Sequence, residues 1–217
     1  MPEESLTRST DSKLDELVSG YFADLDLSAF PALMSDLEAA RCWLVNNKDQ
    51  LDYNHLNPDL KKREIQDRLS APTLARIKLE ETDRFVALDD QNQIKFNSIS
   101  FSPLTHQIAS ALMDLLQPQG RVKLFQSGRN WYPNLGYMGW HTNSNVKGFR
   151  LYCSHAITGG ASYFRYEDPI TGEIITSWDK MGWNFRCFRT DLEPLWHCVY
   201  SETDRISFGY GLQFINE

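Results

Sequence analysis

Asn130-Trp-Tyr-Pro-Asn-Leu-Gly-Tyr-Met-Gly-Trp-His-Thr-Asn143 is the stretch on which the reading of this chain turns. It closes on His141, Thr142 and Asn143. Side chains two residues apart on an extended strand share a face, so His141 and Asn143 can approach one ion together. A second histidine, His197, follows downstream, and Arg205 and Ser207 lie just beyond it, again two residues apart. Two imidazoles and one oxygen donor on one face of a metal leave other positions open, as an iron centre binding dioxygen and an oxoacid requires. Neutral imidazole is the ligating form, and an acceptor behind the ring fixes its tautomer. A guanidinium beside a hydroxyl offers a carboxylate a fork of charged donors. The spacing therefore predicts a mononuclear iron site at His141, Asn143 and His197, with Arg205 and Ser207 as an anion clamp next to it.

Outward from this stretch, the chain after Gly120 alternates short aromatic and β-branched runs with turn residues. Strands are expected near Val122 to Gln126, Tyr137 to His141, Arg150 to Ser154, Ser162 to Tyr166, Glu173 to Trp178, Asn184 to Phe188, Trp196 to Tyr200 and Arg205 to Leu212. Breaks are expected at Gly128, Gly148, Gly159-Gly160, Pro169 to Gly172, Gly182 and Pro194. Eight strands at this spacing point to a double-sheet barrel or jelly roll. Before Gly120 the periodicity is helical. A helix from Asp11 would carry Leu14, Leu17, Val18, Tyr21 and Phe22 on one face. Ser35 with Glu38 forms a capping-box signal, Asn57-Pro58 a second helix start, and Ser102-Pro103 a third, running through Leu116. The run Lys61 to Glu64 is expected as a solvated helix face. Arg84 to Leu88 and Ile94 to Ile99 flank a polar stretch and suggest a hairpin. The fold class is α+β with a mainly β core: residues 1–119 a helical region packed on one sheet, residues 120–217 the barrel, together one compact domain.

The totals constrain function. Net charge is -7, from 22 basic and 29 acidic residues, which weighs against a nucleic-acid partner. Cys42, Cys153, Cys187 and Cys198 form no Cys-x-x-Cys pair, so reduced thiols in a cytoplasmic setting are expected. The first 30 residues lack an apolar core segment, and no apolar run reaches membrane-spanning length.

Residues from about 120 to 212 resemble the iron(II)- and 2-oxoglutarate-dependent oxygenases, which share a double-stranded β-helix. The family's metal motif, His-x-Asp or His-x-Glu and a distal His, is matched by His141 and His197. Its Arg-x-Ser motif for the distal carboxylate of 2-oxoglutarate is matched by Arg205 and Ser207. Asn130-x-Tyr132 is similar to a cosubstrate-contacting pair in the nucleobase-demethylase branch. Tyr132, Gly136, Tyr137 and His141 look like the lead-in of prolyl-hydroxylase-like members, and Gly159-Gly160 to Phe164 is similar to a further family stretch. The resemblance implies Fe(II) as cofactor and 2-oxoglutarate as cosubstrate, oxidised to succinate and carbon dioxide as a C–H bond of a protein side chain or small molecule is hydroxylated.

Asn143 stands where the family has the metal carboxylate. Three arrangements are open: its amide oxygen ligates, the position goes to water or chloride, or the chain is a non-catalytic binding module with a decayed site. The second arginine of the nucleobase-demethylase signature is absent, since Phe208, Gly209, Tyr210 and Gly211 follow Arg205 and Ser207. Around the motif, His55, His106 and His155 are expected to be structural. Arg150 and Tyr152 face either the pocket or the outer sheet surface. Asp168 is a turn residue and a remote candidate for the missing carboxylate. Trp131, Trp140, Trp178, Trp183 and Trp196 are expected in core and pocket walls.

Overall fold

The computed structural model describes residues 20–47, 49, 51, 56–81, 83–84, 89–96, 102–116, 121–144 and 147–215. Its elements in chain order are β1 (Phe22–Leu25), α1 (Pro31–Asn46), α2 (Lys62–Arg68), α3 (Ala71–Glu80), β2 (Gln91–Asn92), β3 (Ile94–Lys95), α4 (Ser102–Leu116), β4 (Arg121–Tyr132), β5 (Gly136–His141), β6 (Phe149–Ala156), β7 (Ser162–Glu167), β8 (Ile174–Trp178), β9 (Gly182–Arg189), β10 (His197–Ser201) and β11 (Arg205–Ile215). Two sheets result, one ordered β1-β9-β6-β11-β4-β3 and the other β2-β5-β10-β7-β8. Every pairing within them is antiparallel. All eight strands expected after Gly120 are present, and together they make the jelly-roll core.

Strand periodicity sorts the side chains. Ile206, Phe208, Tyr210 and Leu212 of β11 join Leu151 and Cys153 of β6 and Phe185 and Cys187 of β9 in a core outside the first sheet. The alternate residues, Arg205, Ser207, Gly209 and Gly211, face the space between the sheets. Leu33, Leu37, Ala40 and Leu44 give α1 one apolar stripe, which closes over that outer core together with Ile108, Ala111 and Leu112 of α4. The second sheet has its own cover. Ile65 and Leu69 at α2, and Leu74 and Ile77 of α3, pack on Tyr137, Trp140, Tyr163, Cys198 and Tyr200. The expectation that the helices pack on one sheet is therefore corrected: they cover the outer faces of both, because two half-apolar sheets each need a lid. Between the sheets lie Tyr132, Phe164, Phe188, Leu195 and Val199.

Several local expectations are also corrected. Residues 11–19 of the helix expected from Asp11 lie outside the described residues, and Phe22, placed on its apolar face, instead begins a strand on the edge of β9, opposite Phe188. Helix α1 starts at Pro31, whose ring pre-sets φ and needs no N–H partner, so Ser35 falls inside the helix and Glu38 instead bonds Arg41. Asn57-Pro58 forms a turn in which Asn57 Oδ1 accepts from Asp59 N, and α2 starts later, at Lys62. The Lys61 to Glu64 face is exposed, as expected. Helix α3 was not foreseen, although Ser70 caps it by accepting from Thr73 N and Pro72 lies in its first turn. The expected hairpin falls largely outside the described residues; of its second arm, Ile94 and Lys95 pair with Trp131 and Asn130 of β4.

Gly128 is no break. It lies inside β4, where the register against β11 shifts between Gly209 and Tyr210. The bulge at Ser127 changes which parity faces inward, so Phe125 enters the barrel while Leu124 joins the outer core. A second bulge lies in β5. His197 is opposite His141 and Val199 opposite Met138, so three residues of β5 span two of β10. That extra residue places Met138 and His141 on one inner face.

Candidate metal and cosubstrate site

The β5–β10 pairing brings His141 and His197 directly opposite one another, with ring centroids 4.1 Å apart. Both are buried. His141 Nδ1 lies 2.8 Å from the Gly139 carbonyl oxygen, and His197 Nδ1 2.9 Å from that of Leu195. Each Nδ1–H therefore donates backward, and each Nε2 lone pair is left for an acceptor role. Burial keeps both rings neutral. It lowers His141 to about 4, against the pull of its Gly139 bond and with Arg84 adding to the fall. It lowers His197 well below its ordinary value, helped by the neighbouring His141. Neutral, tautomer-locked and adjacent imidazoles are what a divalent metal requires.

Asn143 follows just past the end of β5. Its Nδ2 lies 3.1 Å from His197 Nε2 and donates to Tyr152 Oη at 2.9 Å. Turning the amide over would present Oδ1 instead. The triplet is held in place by Thr142, whose N donates to Arg84 O at 2.9 Å and whose hydroxyl donates to Asp83. This strap from Asp83 and Arg84 carries no motif and was not foreseen. Among the described residues no group of three His, Cys, Asp or Glu forms a metal cluster. Asp168 is no candidate for the missing carboxylate, because its Oδ1 accepts from Ile170 N and Thr171 N in the turn after β7. The donor set fits a divalent ion held by two imidazoles and an amide oxygen, and it is one negative charge short of a carboxylate site.

A cavity of about 280 Å³ opens at these residues. Five of the seven residues expected from sequence line it: Asn130, Tyr132, His141, Asn143 and Ser207. Asn130 bonds Tyr132, and burial raises the Tyr132 phenol far above its ordinary value. His197 lies within the Asn143 contact just described. Tyr152 lines the cavity, which settles its orientation inward.

Arg205 is not among the residues that line the cavity. It is buried, but its Nε donates to Asp179 Oδ2 at 2.8 Å and its Nη2 to Ser154 Oγ at 2.9 Å. Ser154 Oγ lies 3.1 Å from Ser207 Oγ, so the guanidinium reaches the cavity wall through two hydroxyls. Asp179 also accepts from Arg186 Nη1 at 2.5 Å and from Ser162. Burial pushes the Asp179 carboxyl up, but Arg205 and Arg186 outweigh it and hold the group down at about 2. Nothing in the local sequence marks Asp179, whose partners lie 26 and 7 residues away.

A pH dependence follows. The folded Asp179 pKa is depressed below the ordinary 3.8, so the carboxylate stabilises the fold above that value and loses its contribution as pH falls toward about 2. The shift corresponds to about 2 kcal/mol. Urea unfolding across this acid window should show that loss, and Asp179→Asn should remove its share of the slope.

Of the histidines outside the motif, His55 lies outside the described residues. His155 packs edge-on against Trp183, and His106 is exposed on α4. The four cysteines are free thiols, three of them buried. Trp131, Trp140 and Trp196 are buried as expected, whereas Trp178 is exposed on β8.

No protein-family profile and no curated protein sequence matches the chain. Solved structures do match it. A Pseudomonas putida prolyl-4-hydroxylase aligns over 95% of this chain and 99% of its own, with a TM-score of 0.56 at 11% identity. A Trichoplax adhaerens prolyl hydroxylase, solved with a hypoxia-inducible-factor peptide fragment, aligns over 97% and 94%, with a TM-score of 0.53 at 8% identity. An oxidoreductase of the 2-oxoglutarate–Fe(II) oxygenase family from Burkholderia pseudomallei aligns over 99% and 93%, with a TM-score of 0.51 at 11% identity. The chain has the fold of the 2-oxoglutarate–Fe(II) oxygenases.

Proposed function

We propose that this protein is an iron(II)- and 2-oxoglutarate-dependent oxygenase that hydroxylates a C–H bond of a protein side chain or small molecule. The observation that carries this is the histidine pair, with both Nδ1–H groups committed to backbone carbonyls, His141 lining the cavity and His197 Nε2 3.1 Å from the amide of Asn143, which also lines it. His141, His197 and the Asn143 amide oxygen would hold the iron. Bound there with 2-oxoglutarate, iron supplies the oxidation of a C–H bond by dioxygen. The chain's own part is binding, orientation and exclusion of water. Asn130, Tyr132 and Ser207 line the wall where the cosubstrate would lie. Arg205 stands behind Ser207 and Ser154, so a dicarboxylate would meet Ser207 and share the guanidinium with Asp179. The peptide held by the Trichoplax prolyl hydroxylase supports a protein side chain as one substrate class. Among the described residues no helix is long and apolar enough to cross a membrane.

A second reading, a non-catalytic binding barrel, is favoured by the Arg205–Asp179 pair, which already occupies the expected clamp. Anaerobic titration with iron(II) and 2-oxoglutarate separates the two. The oxygenase reading expects the visible charge-transfer absorption of a chelated cosubstrate. Its absence from the folded protein at saturating iron favours the binding barrel. Asn143→Asp adds a negative charge beside the two imidazoles, so iron affinity should rise on the order of tenfold. An unchanged affinity would remove Asn143 from the ligand set.

A further inference from the structure

Three arginines are buried among the described residues: Arg150, Arg186 and Arg205. Arg186 and Arg205 share Asp179, and Asp24 reaches Arg186 at 3.5 Å from the surface. Arg150 has no such partner. It is 3% exposed, and its Nε and Nη1 make no hydrogen bond. Its Nη2 donates to Asn143 O at 3.2 Å, and its guanidinium lies 5.4 Å from the centroid of Phe125. The slot is built for this head group. A Cβ at Gly211, opposite Arg150 on β11, would collide with Phe125 and come within 2.6 Å of Arg150 Nη1.

The surroundings carry the same sign. Asn143 and Tyr152 stand between Arg150 and the candidate cavity, and among the described residues the charged ones lining that cavity are Lys95 and Arg129. A buried cation calls for a counter-charge, and among the described residues this one has none. Arg150 also lies toward the opposite end of β11 from Arg205. Arg205 pairs with Ala156 of β6, and Gly211 with Arg150.

We propose that Arg150 is an anion-binding residue of the candidate site and receives a carboxylate of the molecule acted on. The assignment to the substrate rests on the cavity being the reaction site; the binding of an anion there requires no iron. The substrate class is thereby narrowed to acidic molecules: a free carboxylic acid, or a peptide with an acidic residue beside the C–H bond attacked.

The test is an NMR titration of the metal-free full-length chain, following the Arg150 Nε–H resonance, assigned by its disappearance in Arg150→Lys. Acetate is the probe. It should move the resonance saturably, and should do so equally with 2-oxoglutarate present. Arg150→Lys, which keeps the charge but loses the planar fork, should weaken acetate binding about tenfold by tryptophan fluorescence. A resonance unmoved by acetate and by inorganic phosphate overturns the site and leaves Arg150 as a strut for Asn143. Displacement of acetate by 2-oxoglutarate overturns the substrate assignment and gives the carboxylate to the cosubstrate. Because no iron is used, failure of the iron reading is seen separately, as a missing charge-transfer band.

Discussion

Asp179→Ala should destabilise the protein by about 3–5 kcal/mol, the usual cost of removing one partner from a buried ion pair. The substitution takes away the carboxylate that Arg205 and Arg186 share, and the acceptor of the Ser162 hydroxyl. Arg186 keeps Ser177 and, at 3.5 Å, Asp24. Arg205 keeps Ser154 and no carboxylate, so most of the cost falls on it. For a chain of this size the loss should lower the melting temperature by roughly 10 °C. A liberated Arg205 is also a better receptor for a dicarboxylate. The thermal shift produced by 2-oxoglutarate should therefore be larger in Asp179→Ala than in the parent protein, since a ligand binding only the folded state stabilises it. A loss below about 1 kcal/mol would mean that the guanidinium finds water once the carboxylate is gone. An unchanged ligand shift would place the cosubstrate carboxylate away from Arg205.

His141→Ala should reduce iron(II) affinity by at least ~100-fold, beyond the loss usual for residues one step removed from a metal. Among the described residues two imidazoles meet at the proposed centre, and its third donor would be a neutral amide, so no described carboxylate would remain to retain the ion. His141 is the better choice of the two histidines. His197 is packed among Phe164, Phe188 and Tyr152, and truncating it would open a hole in the barrel interior. Iron binding by the variant is read by anaerobic titration, and its folding by circular dichroism. Retained affinity would show that the ion, if bound, sits elsewhere. Together the two variants separate the ends of the cavity: Asp179→Ala acts on the carboxylate end and leaves the histidines alone, and His141→Ala does the reverse.

Much of the barrel could be read along the chain because its signals are local. Alternation of apolar and polar residues has a period of two, and glycine and proline punctuate it, so eight strands and most of their breaks follow from neighbours in sequence. The order His141, His197, Arg205, Ser207 is likewise a property of the chain, and so is the substitution of an amide at position 143. Helix boundaries were less secure, because a capping serine or asparagine is common and Pro31 and Lys62 win at the actual starts.

What depended on the folded chain is which distant residues meet. The bulge in β5 puts His141 opposite His197, and the bulge in β4 turns Phe125 inward beneath Arg150. Asp179 reaches Arg205 from 26 residues away. The helices divide between two sheets because each sheet leaves an apolar outer face. Residue type and spacing set which side of a strand a group occupies. The register between strands far apart in sequence sets its partners, and therefore which buried charge is neutralised and which, like that of Arg150, is left for a ligand.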